Sequence, residues 1–181
     1  MKLSIIFLIL LVIISILGVV VMAIYNKFQD SIIKINEVEG KIDESLRKKF
    51  DILIEMNNII KETIKTKKEL IDDLEKLRNR NISSFEMDRK LIKGFQKISF
   101  VKKQYSELQS NEKIGKLFYD IEEIDEELNA FRKYYNENIV EYNILVKKVP
   151  YSIVGLIFKY KEKSFFDGKD LTDENIKDFK L

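Results

Sequence analysis

From Leu3 to Tyr25 the chain reads LSIIFLILLVIISILGVVVMAIY, an apolar run that carries no charge and is interrupted only by Ser4, Ser15 and Gly18. As an α-helix it reaches roughly 35 Å, enough to cross a hydrocarbon core of about 30 Å with modest tilt. The helix is the required form, because lipid offers no partner to free backbone N–H and C=O groups. Tyr25 ends the run where an amphipathic ring suits the headgroup layer. Residues 1–26 are therefore expected to form a transmembrane anchor that meets membrane lipid through residues 3–25.

The rival reading is a cleaved signal peptide. Lys2 supplies a basic start, and Val21-Met22-Ala23 places small residues at the spacing of a cleavage site. The run, however, exceeds the usual signal-peptide core of roughly 7–15 residues. With no cysteine in the chain, lipoprotein attachment is excluded. A retained single-pass anchor in the cell membrane is expected. Its orientation stays undecided: Lys27, Lys34 and Lys41 against Lys2 lean weakly towards a cytoplasmic soluble domain, yet large domains translocate largely regardless of such charges.

The rest of the chain is charged and balanced. With 32 Lys+Arg against 30 Asp+Glu the net charge is only +2, which lacks the basic excess that drives nucleic-acid binding. Zero cysteines remove disulfides, thiolate metal ligands and a cysteine nucleophile. Zero histidines remove a Ser-His-Asp triad, a histidine zinc site and the Glu-x-x-His pairs of di-iron bundles. No cofactor is expected. One proline and six glycines suit long helices joined by short turns.

Apolar residues then keep steps of three and four: Phe28, Ile32, Ile35, Val38, Ile42, Leu46, Phe50, Leu53, Met56, Ile60 and Ile64, one stripe along a helix. Leu70, Ile71, Leu74 and Leu77 extend it to about Arg78. This helix is expected to continue directly from the anchor, with Gly40 and the polar stretch Lys61 to Glu69 as places for a bend or frayed turn. Ser83 followed by Glu86 is a capping-box signature for a second helix, running to about Leu108 through Leu91, Phe95, Ile98, Val101 and Tyr105. After a turn at Ser110-Asn111-Glu112 comes the most regular stripe: Ile114, Leu117, Ile121, Ile124, Leu128, Phe131, Tyr135, Ile139, Tyr142, Val146 and Val149. Pro150 stops that helix, and Tyr151 to Phe166 reads as a short amphipathic fourth helix. Short connections make consecutive helices antiparallel. The fold class is therefore all-α: an N-terminal transmembrane helix followed by a long antiparallel bundle of three long helices and a short C-terminal one. The bundle spans residues 27–166, and 167–181 form a polar tail.

Several of these residues resemble the motifs of the LemA family of membrane-anchored helical bundles. Tyr25-Asn26 resembles that family's post-membrane Tyr-Asn. Ile42-Asp43, with Leu46-Arg47-Lys48-Lys49-Phe50-Asp51-Ile52-Leu53, is similar to its basic–aromatic–Asp-Leu-Ile motif, although Ile54 and Glu55 replace the usual Pro-Asn. Tyr105-Ser106-Glu107-Leu108-Gln109-Ser110-Asn111 resembles Tyr-Pro-x-Leu-x-Ala-Asn. Arg132-x-x-Tyr135-Asn136, Tyr142-Asn143, Pro150 and Lys161-Glu162-Lys163-x-Phe165-Phe166 follow in the family's order and spacing. The resemblance covers residues 20–60 and 104–166. It implies a retained anchor and a long bundle, and adds architecture and location rather than chemistry.

Tyr135 and Tyr142 lie on the inward stripe beside Asn136 and Asn143, and buried hydroxyls need polar partners. Arg132 and these hydroxyls are expected to meet Asp43 or Asp51 of the first helix in a polar layer that fixes helix register, rather than to line a ligand pocket. The acidic stretch Asp120, Glu122, Glu123, Asp125, Glu126 and Glu127 spreads over an exposed arc and reads as a solvated face. Arg47-Lys48-Lys49 reads as bundle surface. Asp167, Asp170, Asp173 and Glu174 lack the spacing of an EF-hand loop. Ile153 to Phe158 with Phe165 and Phe166 is expected to pack over the bundle end, with membrane-surface or partner contact as the alternative.

No constellation supplies a nucleophile and base. The expected function is a non-catalytic scaffold or adaptor for other membrane or envelope proteins, for which self-association into a homo-oligomer is also open. The alternative is a ligand-sensing bundle or an enzyme built on carboxylates and tyrosines, which needs a deep pocket of convergent carboxylates between helices.

Overall fold

The computed structural model describes residues 2–65 and 83–166. Those residues form helices and no strand: α1 (Lys2–Thr63), α2 (Ser84–Gln104), the single turn α3 (Ser106–Gln109), α4 (Glu112–Lys147) and α5 (Tyr151–Ile157). The expected extension of the first helix over residues 66–78 and the tail carboxylates Asp167, Asp170, Asp173 and Glu174 lie outside them.

α1 is one unbroken helix from the apolar run into the bundle, passing Gly40 without interruption and ending in the polar stretch that begins at Lys61. Its N-terminal part is long and apolar enough to cross a membrane, and side chains such as Phe7, Leu11 and Leu17 stand exposed along it. α2 begins where the capping signature predicts: the Ser83 hydroxyl accepts from the Glu86 N–H at 3.3 Å. Asn111 caps α4 in the same way, its Oδ1 accepting from the Ile114 N–H at 3.1 Å.

The described residues pack as two compact units, one drawn from residues 2–37 and 136–165, the other from 38–65, 83–135 and Phe166. In the second unit Ile42, Leu46, Leu53, Met56 and Ile60 of α1 are buried with Leu91 and Ile98 of α2 and Ile114, Ile121 and Leu128 of α4. Each such side chain contributes about 1.5–3 kcal/mol by leaving water. α4 runs antiparallel to both other helices. Ser45 and Lys49 of α1 reach Glu127 and Asp125, while Glu55 further along reaches back to Lys113. On α2, Asp88 meets Arg132 and Phe95 meets Phe118.

It follows that α1 and α2 run the same way. The Ser84 hydroxyl donates to Asp43 at 2.5 Å, so α2 starts about 30 Å back along α1 from Thr63. The antiparallel arrangement expected of helices joined by short connections holds from α2 to α4.

In the first unit Ile24, Phe28 and Ile35 of α1 are buried, as are Ile139, Tyr142 and Leu145 of α4 and Val154 of α5. Phe28 meets Tyr142 edge-on with centroids 5.9 Å apart, and lies 4.5 Å from the Tyr160 ring.

Three boundaries differ from expectation. α2 ends at Gln104, because Tyr105 turns to extended backbone (φ −120°, ψ 116°) and leaves its ring exposed. α4 stops at Lys147, so Val149 is exposed rather than buried; the Val149–Pro150 peptide is cis. The fourth helix covers only Tyr151–Ile157 instead of reaching Phe166. Its end is a Schellman closure: the Tyr160 N–H donates to the Gly155 carbonyl at 2.9 Å and the Lys159 N–H to that of Leu156 at 3.3 Å, with Lys159 at φ 60°.

Candidate functional site

The second unit holds a layer of charged side chains inside its core. Lys49 is 1% exposed on α1, at a position that continues the stripe, and its ammonium pairs with Asp125 of α4. The same ammonium lies 5.9 Å from the centre of the Phe95 ring. Asp88, 2% exposed on α2, accepts from the Arg132 guanidinium at 2.6 Å. Arg132 also donates to Asn129 Oδ1 at 2.9 Å and sits 5.6 Å over the Phe166 ring. Phe166 in turn stacks on Phe85 with centroids 4.4 Å apart and presents an edge to Tyr135.

Two cations and two carboxylates, supplied by three helices, therefore neutralise one another, with Lys49 and Asp88 buried and Asp125 and Arg132 at the edge of the core. Buried ions persist only when paired in this way. Burial pushes the Asp88 carboxyl above its usual range; the Arg132 and Lys49 charges oppose that shift, and Asp125 reinforces it. Burial likewise raises the Tyr135 hydroxyl, with the Glu39 carboxylate adding to the effect.

The polar layer is thus present, but with different members from those expected. The carboxylate that Arg132 meets is Asp88 of α2, not Asp43 or Asp51 of α1. Asp43 instead accepts from Ser84 at the start of α2, where a carboxylate also suits the helix dipole. Asp51 lies on the exposed side of α1. Of the basic cluster, Arg47 and Lys48 are surface, while Lys49 is core. Of the acidic stretch, Asp125 and Glu127 are bonded to α1 through Lys49 and Ser45.

The first unit has its own polar fastening. Asn143 clamps the backbone of Lys163, its Nδ2 donating to the Lys163 carbonyl and its Oδ1 accepting from the Lys163 N–H, both at 2.9 Å. Lys147 pairs with Glu162 at 2.8 Å. Gln29 donates to the Tyr160 hydroxyl at 2.7 Å. Tyr142 packs on Phe28, and burial followed by the nearby Tyr160 raises its hydroxyl. Tyr25 rests on Phe158 with centroids 5.0 Å apart. Asn26 and Phe165 are exposed, and Asn136 is half-buried.

These clusters hold helices and the segment after α5 in register. Sequence reasoning missed Lys49, Asp88 and the buried Asn57, whose amide has no hydrogen-bonding partner among the described residues. The LemA family model matches residues 39–178. No curated protein matches the chain.

Proposed function

The chain belongs to the LemA family, and from that premise we propose that it is a single-pass membrane protein displaying its helical bundle as a non-catalytic scaffold for other membrane or envelope proteins. The observation that carries this reading is the continuity of α1. An apolar stretch fit for lipid runs without a break into a helix whose next turns are bundle core, so that anchor and domain are one mechanical element. The buried ionisable groups support the non-catalytic part. Lys49 and Asp88, the two most deeply placed charges among the described residues, are spent on Asp125 and Arg132, whereas a working acid or base has to face a substrate.

Two measurements test this. The full-length protein should stay with membranes through an alkaline carbonate wash and be released when residues 1–26 are deleted. Photocrosslinkers placed on exposed bundle positions should capture a defined set of membrane or envelope proteins in native membranes. Release of the intact chain by carbonate would remove the anchor; turnover of a substrate by purified protein, with no specific crosslink, would remove the scaffold.

A further inference from the structure

The apolar face of α5 is turned the wrong way for a water-facing helix. Val154 and Gly155 form its buried side, with Gly155 set against the Phe28 ring; a Cβ there would lie 3.5 Å from Phe28 Cζ. Ile153, Leu156 and Ile157, at i, i+3 and i+4, share the opposite side. Leu156 is 81% exposed and Ile157 65%. Val149 just before the helix is exposed as well. A contiguous patch of large aliphatic side chains in this state marks a contact surface.

What covers it follows from where α5 is held. Phe158 touches Tyr25, Gly155 and Tyr160 touch Phe28, and Gln29 reaches the Tyr160 hydroxyl. Residues 25–29 are the turn of α1 at which the apolar run ends, so α5 is fixed at the level where the span leaves the hydrocarbon. Its surroundings are cationic: over residues 147–163 there are five lysines and one acid, Glu162, itself paired with Lys147. Apolar side chains at the acyl boundary with lysines at the headgroups form the pattern of an interfacial membrane element.

We propose that α5 docks on the bilayer surface, Ile153, Leu156 and Ile157 entering the boundary between headgroups and acyl chains while Lys159 and Lys161 meet anionic phosphates. The bundle then touches the membrane at a second point beside its anchor, which fixes its height and tilt. This rests on the anchored reading above, and the test separates the two.

The chain has no cysteine, so one substitution gives one label. Full-length Leu156→Cys, Leu11→Cys and Tyr119→Cys, each carrying an environment-sensitive fluorophore, are reconstituted into phosphatidylcholine–phosphatidylglycerol vesicles containing a nitroxide lipid. Quenching at Leu156→Cys should reach at least about half that at Leu11→Cys, with Tyr119→Cys near the aqueous baseline. In a Leu156→Glu, Ile157→Glu variant labelled at Ile153→Cys, quenching should fall to that baseline; these side chains are exposed, so the fold tolerates the change. Strong quenching at Leu11→Cys with none at Leu156→Cys would overturn the docking and leave the anchor standing. Quenching at neither would overturn both. A label at Leu156→Cys shielded from water but untouched by the nitroxide would put protein, a second copy included, on this face and would also overturn the lipid assignment.

Discussion

Lys49 of α1 and Asp125 of α4 form an ion pair in which the lysine is 1% exposed and the aspartate is still in reach of water. The two partners should therefore respond differently to removal. Asp125→Asn leaves a buried ammonium without its counter-charge and should destabilise the bundle by about 2–4 kcal/mol. Lys49→Met fills the same volume with an apolar side chain and leaves Asp125 to hydration, so its effect should lie between neutral and about 2 kcal/mol stabilising. Urea unfolding of the detergent-solubilised chain, followed by circular dichroism, reads both. Equal losses for the two variants would contradict this asymmetry.

The Asp88–Arg132 pair carries a pH signature. Burial raises the Asp88 carboxyl in the folded state despite Arg132. The folded protein consequently holds that proton more tightly than the unfolded chain. Linkage then makes this group's contribution fully present below the unfolded carboxylate range, about pH 4, and lost as pH rises through the folded value. Wild type should gain stability relative to Asp88→Asn as pH is lowered from neutrality towards 4. A difference curve that is flat, or that slopes the other way, would show that the Arg132 charge outweighs burial.

How far this site was legible in the sequence depends on what a stripe is taken to contain. The helix stripes and the start of α2 followed from spacing and from Ser83 and Glu86; at Ser110-Asn111-Glu112 the sequence showed a turn, not the Asn111 cap. The charged members of the layer were passed over because they are polar, although their positions are those of core residues. Ile42, Leu46, Lys49, Leu53, Met56 and Ile60 alternate steps of four and three, and Asp88, Leu91, Phe95 and Ile98 alternate three and four. A charge standing at such a step has to be paired, which is a readable signal; which partner it finds is set by the interhelical register and is not. The short reach of α5 came from a lysine, not a glycine, ending the helix.

Asn57 lies on the buried side of α1 at 1% exposure, with neither its Oδ1 nor its Nδ2 hydrogen-bonded. A desolvated amide without a partner costs about 1–3 kcal/mol, and leucine is close to it in shape. Asn57→Leu should raise the unfolding free energy by about 1–2 kcal/mol. A loss of stability in the same urea experiment would mean that the amide has a partner, such as an internal water.

Asn143 fastens the segment after α5 through two bonds to one residue, Lys163. At about 0.5–1.5 kcal/mol each, Asn143→Ala should cost about 1–3 kcal/mol. The loss should also be local. Trypsin should cut after Lys161 and Lys163 faster in the variant, while cleavage within α4 stays unchanged. Uniformly faster cleavage along the chain would place the effect on the whole unit rather than on this fastening.

Lys159 occupies the left-handed position that closes α5, at φ 60°. A side chain in that region is disfavoured by roughly 1–2 kcal/mol relative to glycine, which adopts it freely. Glycine returns part of that gain through the extra freedom of the unfolded chain, so Lys159→Gly should stabilise the first unit by about 0.5–1 kcal/mol. Lys159→Ala keeps the strain and should show no such gain, which separates the backbone effect from loss of the charge. Thermal unfolding of the two variants side by side decides it: equal midpoints would mean that the lysine is not strained at this turn.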